Sequence, residues 1–366
     1  MILYDNRRFL GYSQYFHVFG SAIFTFRSAP QSVVGAAVGY YATQNADELT
    51  DYIVNPTAYF SAISLVLGFL LVFRTQLAYM RYWEGRTSFQ TLMSKLEDVG
   101  IHTKTFVRLN DSEAIKWKNA MGHMLINYLA LAMAELRGER DLDEVVTKYN
   151  LSLTPDQREE LEAFSYRAYI AMSWIMDAWV KRATAGGVTV PPPVQSRTYQ
   201  NLSEAQLAFN AAQKIQSTPF PYPFVQVCGM LLNVYMFSAP LVIGAYINHF
   251  IFGTLLSCFS VLGFFALNRT ADELEDPFGH DPNDLPLDHY LCSFQESMVS
   301  LGIIQYSELQ VADDEAQVSP QEAGDQLLLN SEGDEEAAHA PRGTKKFMMK
   351  QRKQERINSG HFMYLR

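Results

Sequence analysis

Cysteine is scarce in this chain. Cys228, Cys258 and Cys292 are the only three in 366 residues, and no two stand at a metal-ligand or redox spacing. Two of them lie inside apolar runs, which reads them as small buried hydrophobes. The sequence also lacks a Gly-rich phosphate loop, a nucleophile–base constellation and the paired carboxylates of a hydrolase. His102, His123, His249, His280 and His289 share no ligand spacing, which argues against a membrane-bound metal hydrolase. The expectation is a protein that is not an enzyme. Basic residues are outnumbered, 29 Lys and Arg against 39 Asp and Glu, so nothing marks nucleic acid as a partner. The opening residues, with Tyr4, Asp5, Arg7 and Arg8, have neither the layout of a secretory signal nor an Arg/Ser-rich transit peptide.

What is present is apolar sequence in blocks. The hydrophobic fraction is 48% while the mean hydropathy is only −0.08, so apolar segments alternate with a large water-facing part. Four segments are candidate membrane spans. Ala22–Ala42 is interrupted by Arg27 and Pro30, and Thr57–Phe73 carries no charge. Phe224–Ile247 contains Pro240 and Gly244, and His249–Leu267 follows after a tight turn at Asn248-His249. A crossing needs about 20 predominantly apolar residues. Arg7, Arg8, Arg74, Arg81, Arg86, Lys95, Lys214 and Arg269 all fall on one side of these spans. The connection Asn45–Asn55 has Asp47, Glu48 and Asp51 but no basic residue. The asymmetry places both termini and residues 75–220 on the cytosol-equivalent side.

The fold class is therefore an all-α membrane protein, with four transmembrane helices and a helical inner domain. Apolar residues at three- and four-residue spacing predict helices over Arg86–Phe106, Ser112–Arg137, Thr154–Ala183 and Ser203–Gln216. Asp111 or Ser112, Thr154 and Ser203 stand as caps. Gly186-Gly187 and Pro191-Pro192-Pro193 predict a stiff extended elbow. The organisation is an N-terminal interfacial segment (1–20), spans one and two (21–80), the inner domain (81–222), spans three and four (223–269), an acidic segment with a C-terminal helix (270–307) and a tail (308–366). Glu308–Glu336 holds ten acidic residues and no Lys or Arg, whereas Arg342–Arg356 holds seven basic ones. This composition predicts disorder, with Lys345–Arg356 as a short basic helix that binds an anionic lipid surface or folds against the acidic stretch.

Within the second span Leu65, Phe69 and Phe73 stand at four-residue steps and share a helix face. Copies of that face around an axis would make a narrow apolar collar, which gates by dewetting. The run Phe73-Arg74-Thr75-Gln76-Leu77-Ala78-Tyr79-Met80-Arg81-Tyr82-Trp83-Glu84-Gly85-Arg86 then leaves the membrane. Arg74, Arg81 and Arg86 read as basic residues that attract anions at its inner mouth. After the last span comes Asp272-Glu273-Leu274-Glu275-Asp276-Pro277-Phe278-Gly279-His280-Asp281-Pro282-Asn283-Asp284-Leu285-Pro286-Leu287, an acidic clamp at the water interface.

The clamp and the run Phe73–Arg86 resemble the bestrophin family of anion channels, loosely over residues 5–305. The resemblance implies a homopentamer in a lipid bilayer around one pore, conducting chloride passively, with bicarbonate as a second permeant ion. It implies a neck at Leu65, Phe69 and Phe73, where Leu65 replaces the more usual Ile, and an inner constriction near Pro193 and Val194. In the animal branch the clamp is a calcium clasp, and here it would use Glu273, Asp276, Asp281 and Asp284. Pro282 and Asn283 interrupt the continuous acidic run of that branch, so the loop looks more like plant, algal and bacterial members. A structural turn, its carboxylates paired with Arg74, Arg81 or Arg86, is preferred to calcium, and no other cofactor is implied. A competing expectation keeps the fold but makes the chain a non-conducting scaffold whose inner domain and acidic tail recruit a partner protein. Thylakoid and plasma membrane both stay open as its location.

Overall fold

The computed structural model describes residues 28–53, 55–107, 112–247, 249–281 and 283–304. The interfacial segment 1–20, Arg27 with the start of the first span, Asn248, Pro282 and the tail 308–366 lie outside the described residues. Twelve α-helices follow one another among those residues, with no strand between them. They are α1 (Ala29–Gln44), α2 (Ala46–Tyr52), α3 (Pro56–Tyr59), α4 (Leu65–Phe106), α5 (Ser112–Arg137), α6 (Leu142–Tyr149), α7 (Pro155–Ala163), α8 (Arg167–Thr184), α9 (Pro192–Ser217), α10 (Tyr222–Tyr246), α11 (Phe250–Glu275) and α12 (Leu287–Ser300). A π-helical turn, Phe60–Ser64, joins α3 to α4.

Three described helices are long and apolar enough to cross a membrane: the one spanning Ala62–Phe106, α10 and α11. The described part of the first predicted span, α1, has 16 residues. It packs along both α10 and α11, and the sequence explains how. Gly35 and Gly39 are four residues apart and both buried. A Cβ on Gly35 would meet Val261 Cγ2 at 2.7 Å, and one on Gly39 would strike Ser257 of α11. From the other side, a Cβ on Gly244 would meet Ala42 Cβ at 2.5 Å. Small residues at this spacing let backbones approach closely, which is how apolar helices associate where lipid removes any hydrophobic incentive.

Membrane and inner parts are joined by α4, one unbroken helix of 42 residues. At about 1.5 Å per residue it is long enough to cross a bilayer and continue well beyond it. Its inner half packs on α9, while α5 and α8 form a second layer. Helix α5 is buried without interruption from Leu125 to Ala134, the pattern of a central helix apolar all round. The C-terminal helix α12 closes this domain. Met298 lies against Gly100 of α4, and Ile303 and Ile304 lie against Gly122 of α5.

Several expected boundaries move. The helix expected from Arg86 begins at Leu65, because no helix breaker separates the span from its continuation. The stretch Thr154–Ala183 divides at Phe164–Tyr166 into α7 and α8. Thr154 does cap α7, in a reciprocal capping box with Gln157. The connection Asn45–Asn55 is largely the helix α2. Helix α9 starts inside the triple proline rather than at Ser203. Pro191 is its extended N-cap and Pro192 its first residue, because a proline in the first turn gives up no helical hydrogen bond. The acidic segment also begins inside a helix, since Asp272–Glu275 complete α11.

Candidate functional site

The membrane half of α4 has two unlike faces. Leu67, Leu71, Arg74 and Ala78 are buried, and Leu67 and Leu71 pack with Leu232, Tyr235 and Ala239 of α10. On the opposite face Leu65 is 68% exposed, Phe69 63% and Phe73 49%. The rings of Phe69 and Phe73 contact each other, centroids 5.1 Å apart. Among the described residues their apolar surface is left uncovered, open to lipid, water or another copy of the chain.

Arg74 is only 2% exposed. One arm of its guanidinium donates to Asn268 and the other to Asp272, with Glu275 at 3.4 Å, all from α11. The guanidinium also stands 6.0 Å from the Phe220 ring centroid. A buried guanidinium with two carboxylates is locally neutralised. Arg74 therefore ties α4 to α11 and presents no open charge to an anion. Arg81 donates from Nε to the Glu275 carbonyl at 3.1 Å and from Nη2 to the Ile215 carbonyl at 2.9 Å. It joins α4 to the ends of α9 and α11, closing helix C-termini whose carbonyls have no helical partner. Arg86 lies over Tyr290 of α12 at 4.4 Å and donates to Gln90 at 2.8 Å. Of the three arginines, Arg74 is paired with carboxylates, while Arg81 and Arg86 are held by carbonyls, an amide and a ring.

The clamp is built from backbone as much as from charge. Leu285 N donates to the Pro277 carbonyl at 2.9 Å, closing a loop whose base is the buried Phe278. Phe278 and Pro277 sit on Gly85 of α4, where a Cβ would meet Pro277 Cγ at 2.9 Å and Phe278 Cζ at 3.2 Å. Tyr82 donates to the Asn283 carbonyl at 3.3 Å. Glu273 is taken up by Arg269 at 3.2 Å and by the Asn283 amide at 2.8 Å. Asp284, buried, accepts the Asp281 amide N–H at 2.6 Å through Oδ2, while its Oδ1 is buried without a partner among the described residues. Burial, together with the nearby Asp281 and Asp276 carboxylates, pushes the Asp284 carboxyl up to about 6. Asp276 and Asp281 are exposed, and Asp281 lies 3.9 Å from Arg269.

Among the described residues these four carboxylates form no group of three that could hold a metal ion. Calcium takes six to eight converging oxygens, whereas Glu273 is spent on Arg269 and Asn283, and Asp284 on the loop's own amide. Among the described residues no three His, Cys, Asp or Glu side chains stand together as metal ligands. Beyond the loop, Arg137 of α5 makes a two-pronged bond to Asp288 at 2.7 and 2.8 Å. That bond holds the Asp288 carboxyl below its ordinary range.

At the far end of α4, the Phe106 carbonyl accepts both the amide and the hydroxyl of Thr189, at 2.9 and 2.8 Å. His102 stacks on Phe106, centroids 4.3 Å apart, and meets Thr198 Oγ1 at 3.0 Å. Pro193 and Val194 are exposed in the first turn of α9, one turn before Thr198. The structure so brings the elbow to the inner end of the same helix that carries Leu65, Phe69 and Phe73 at its outer end.

Two features escaped the sequence reading. Asn268 as a partner of Arg74 gave no signal, being one polar residue at the end of an apolar run. The Gly35-x-x-x-Gly39 spacing did give one, and it locates the close packing of α1.

Residues 12–300 match the family model described as "Bacterial/Fungal Bestrophin protein". The voltage-dependent anion channel-forming protein sll1024 of Synechocystis sp. is 26% identical over 243 residues, 65% of this chain and 75% of that protein. The voltage-dependent anion channel-forming protein alr2987 of Nostoc sp. is 28% identical over 234 residues, 62% of this chain and 71% of that protein. Among solved structures, a bacterial bestrophin homolog from Klebsiella pneumoniae superposes with a TM-score of 0.66 at 16% identity, covering 74% of this chain and 97% of that one.

Proposed function

The chain belongs to the bestrophin family, and from that premise we propose that it is an anion channel of a lipid membrane, conducting chloride passively through the axis of a homopentamer. The observation that carries this reading is the exposed stripe Leu65, Phe69 and Phe73, set opposite the buried anchor of Arg74. Five copies of α4 turned with that stripe inward form an apolar neck. A hydrated ion crosses such a neck only when it wets or widens, and the positive edges of Phe69 and Phe73 favour an anion over a cation there. The names of the relatives in Synechocystis sp. and Nostoc sp. support anion conduction.

In this reading α1 belongs to a fourth crossing beside Ala62–Phe106, α10 and α11. Pro193 and Val194, exposed at the start of α9, form a second constriction at the inner end. The clamp acts mechanically: Phe278 on Gly85 and Arg74 on Asp272 fix the angle at which α4 stands to α11. Bicarbonate is a second permeant ion, since an apolar neck discriminates by hydration cost more than by chemical identity.

The test is the reversal potential of purified protein in a planar bilayer under a KCl gradient. A value near the chloride equilibrium potential is expected. A value near that of potassium, or no current, would sink the proposal.

A further inference from the structure

The neck ends at Phe73, and what an ion meets next follows from helix geometry. At 3.6 residues per turn, Phe69, Gln76, Met80 and Thr87 lie within about 20° of one line along α4. Arg74, Arg81 and Arg86 lie roughly 100° or more from it. The exposure pattern agrees, since Gln76, Met80 and Thr87 are exposed and Arg74 is buried. Below the neck, then, the stripe carries Gln76, Met80 and Thr87 and no cation.

Of its polar side chains, most have their donors committed. Thr87 donates to the Trp83 carbonyl at 2.8 Å and Thr91 to the Thr87 carbonyl at 2.9 Å. Gln90 accepts from Arg86 at 2.8 Å and reaches Ser94 at 3.4 Å. Gln76 is exposed and makes no hydrogen bond to the described residues. It stands three residues beyond Phe73, about 4.5 Å along the axis. An ion leaving the aromatic ring is within reach of its carboxamide before it reaches any other polar side chain on this face.

We infer that Gln76 is the first coordinating group for the anion below the neck, and that it sets which anion passes best. This rests on the pore reading given above. A neutral carboxamide offers N–H donors to a partly dehydrated chloride. It also offers a carbonyl acceptor, which chloride cannot use and the hydroxyl of bicarbonate can. A ring of such amides therefore rehydrates either ion but matches bicarbonate on both counts. A ring of free guanidiniums would instead bind both anions tightly and slow their release.

The experiment compares full-length parent, Gln76→Leu and Gln76→Asn in planar bilayers, under a KCl gradient and under a chloride/bicarbonate bi-ionic gradient. Size-exclusion elution is checked to be that of the parent. Gln76→Leu is expected to keep a reversal potential near that of chloride, because the neck is intact. Its conductance should fall about threefold and its bicarbonate-to-chloride permeability ratio should fall by about as much, the scale of one net hydrogen bond. Gln76→Asn, with the amide on a shorter stem, should lie between Leu and parent. Leu and parent indistinguishable in both readings, or Asn and Leu identical, would overturn the inference while leaving the channel standing. A parent without anion-selective current would overturn both.

Discussion

Helix α4 turns one face to its own chain and another away from it, and their chemistry is inverted relative to a water-soluble helix. The inward face holds a charged residue, Arg74, together with Gly85 and the polar Ser88 among its leucines. The outward face opens with Leu65, Phe69 and Phe73, all exposed. In water this arrangement would be costly on both counts. In a membrane oligomer it is coherent: the charge is neutralised by carboxylates it cannot leave, and the apolar stripe is free to meet lipid or a pore. The comparison divides the labour. Substitutions on the inward face should be felt as lost stability, and those on the outward face as altered current.

The largest effect is expected at Arg74. Arg74→Leu leaves Asp272 and Glu275 facing each other without their cation, and Asn268 without its donor. Removing one partner of a buried pair costs about 3–5 kcal/mol. Thermal unfolding in detergent should show a large fall in midpoint and in folded yield. A midpoint equal to the parent's would mean that the anchor is ornamental and the two-face division is wrong. Gly85→Val comes next. Its side chain must displace Pro277 or Phe278, at about 2 kcal/mol for overpacking. The same melting experiment reads it, and a neutral result would detach the clamp from α4.

A smaller effect separates the two ends of the clamp by pH. Asp284 has its carboxyl raised to about 6 in the fold, so between about pH 4 and 6 the folded protein holds a proton that the unfolded chain has lost. The stability from that proton is fully present below the ordinary carboxylate range and is lost as pH rises through 6. Asp288, lowered by Arg137, acts in the opposite sense, its contribution vanishing as pH falls below the ordinary range. Asp284→Asn should therefore remove a decline on the order of 1 kcal/mol between pH 4 and 7. Unfolding midpoints measured across that range check it, and an unchanged slope would acquit Asp284.

Much of this was legible beforehand because it is periodic or compositional. The apolar runs located the helices that became α10, α11 and the outer half of α4, and the four-residue step located Leu65, Phe69 and Phe73. The breaks were harder to see. Nothing local distinguishes a proline that ends an elbow from one that opens a helix, so α9 begins at Pro192, eleven residues before Ser203. The carboxylate partners of Arg74 were named only as a class, since Asp272 and Glu275 lie about two hundred residues away. Pairing at that separation is decided by the fold. Periodicity identifies which face a residue shares, and only packing decides whether that face is filled.

The smallest stability effect, and the sharpest test of the comparison, is Phe69→Ala. Phe69 is 63% exposed and its ring contact is with Phe73 on the same stripe. Losing it should therefore move the unfolding midpoint by no more than about 0.5 kcal/mol, the range of exposed substitutions. Its effect on current should be large. In the proposed homopentamer, truncation widens an apolar ring and removes five side chains from the constriction at once. Conductance should rise, or the preference for chloride over potassium should weaken, in bilayer recordings on protein of parental stability. Two results would break the division. A destabilised variant with parental current would make Phe69 a packing residue. A variant indistinguishable in both would remove the stripe from the conduction path and leave α4 without a functional face.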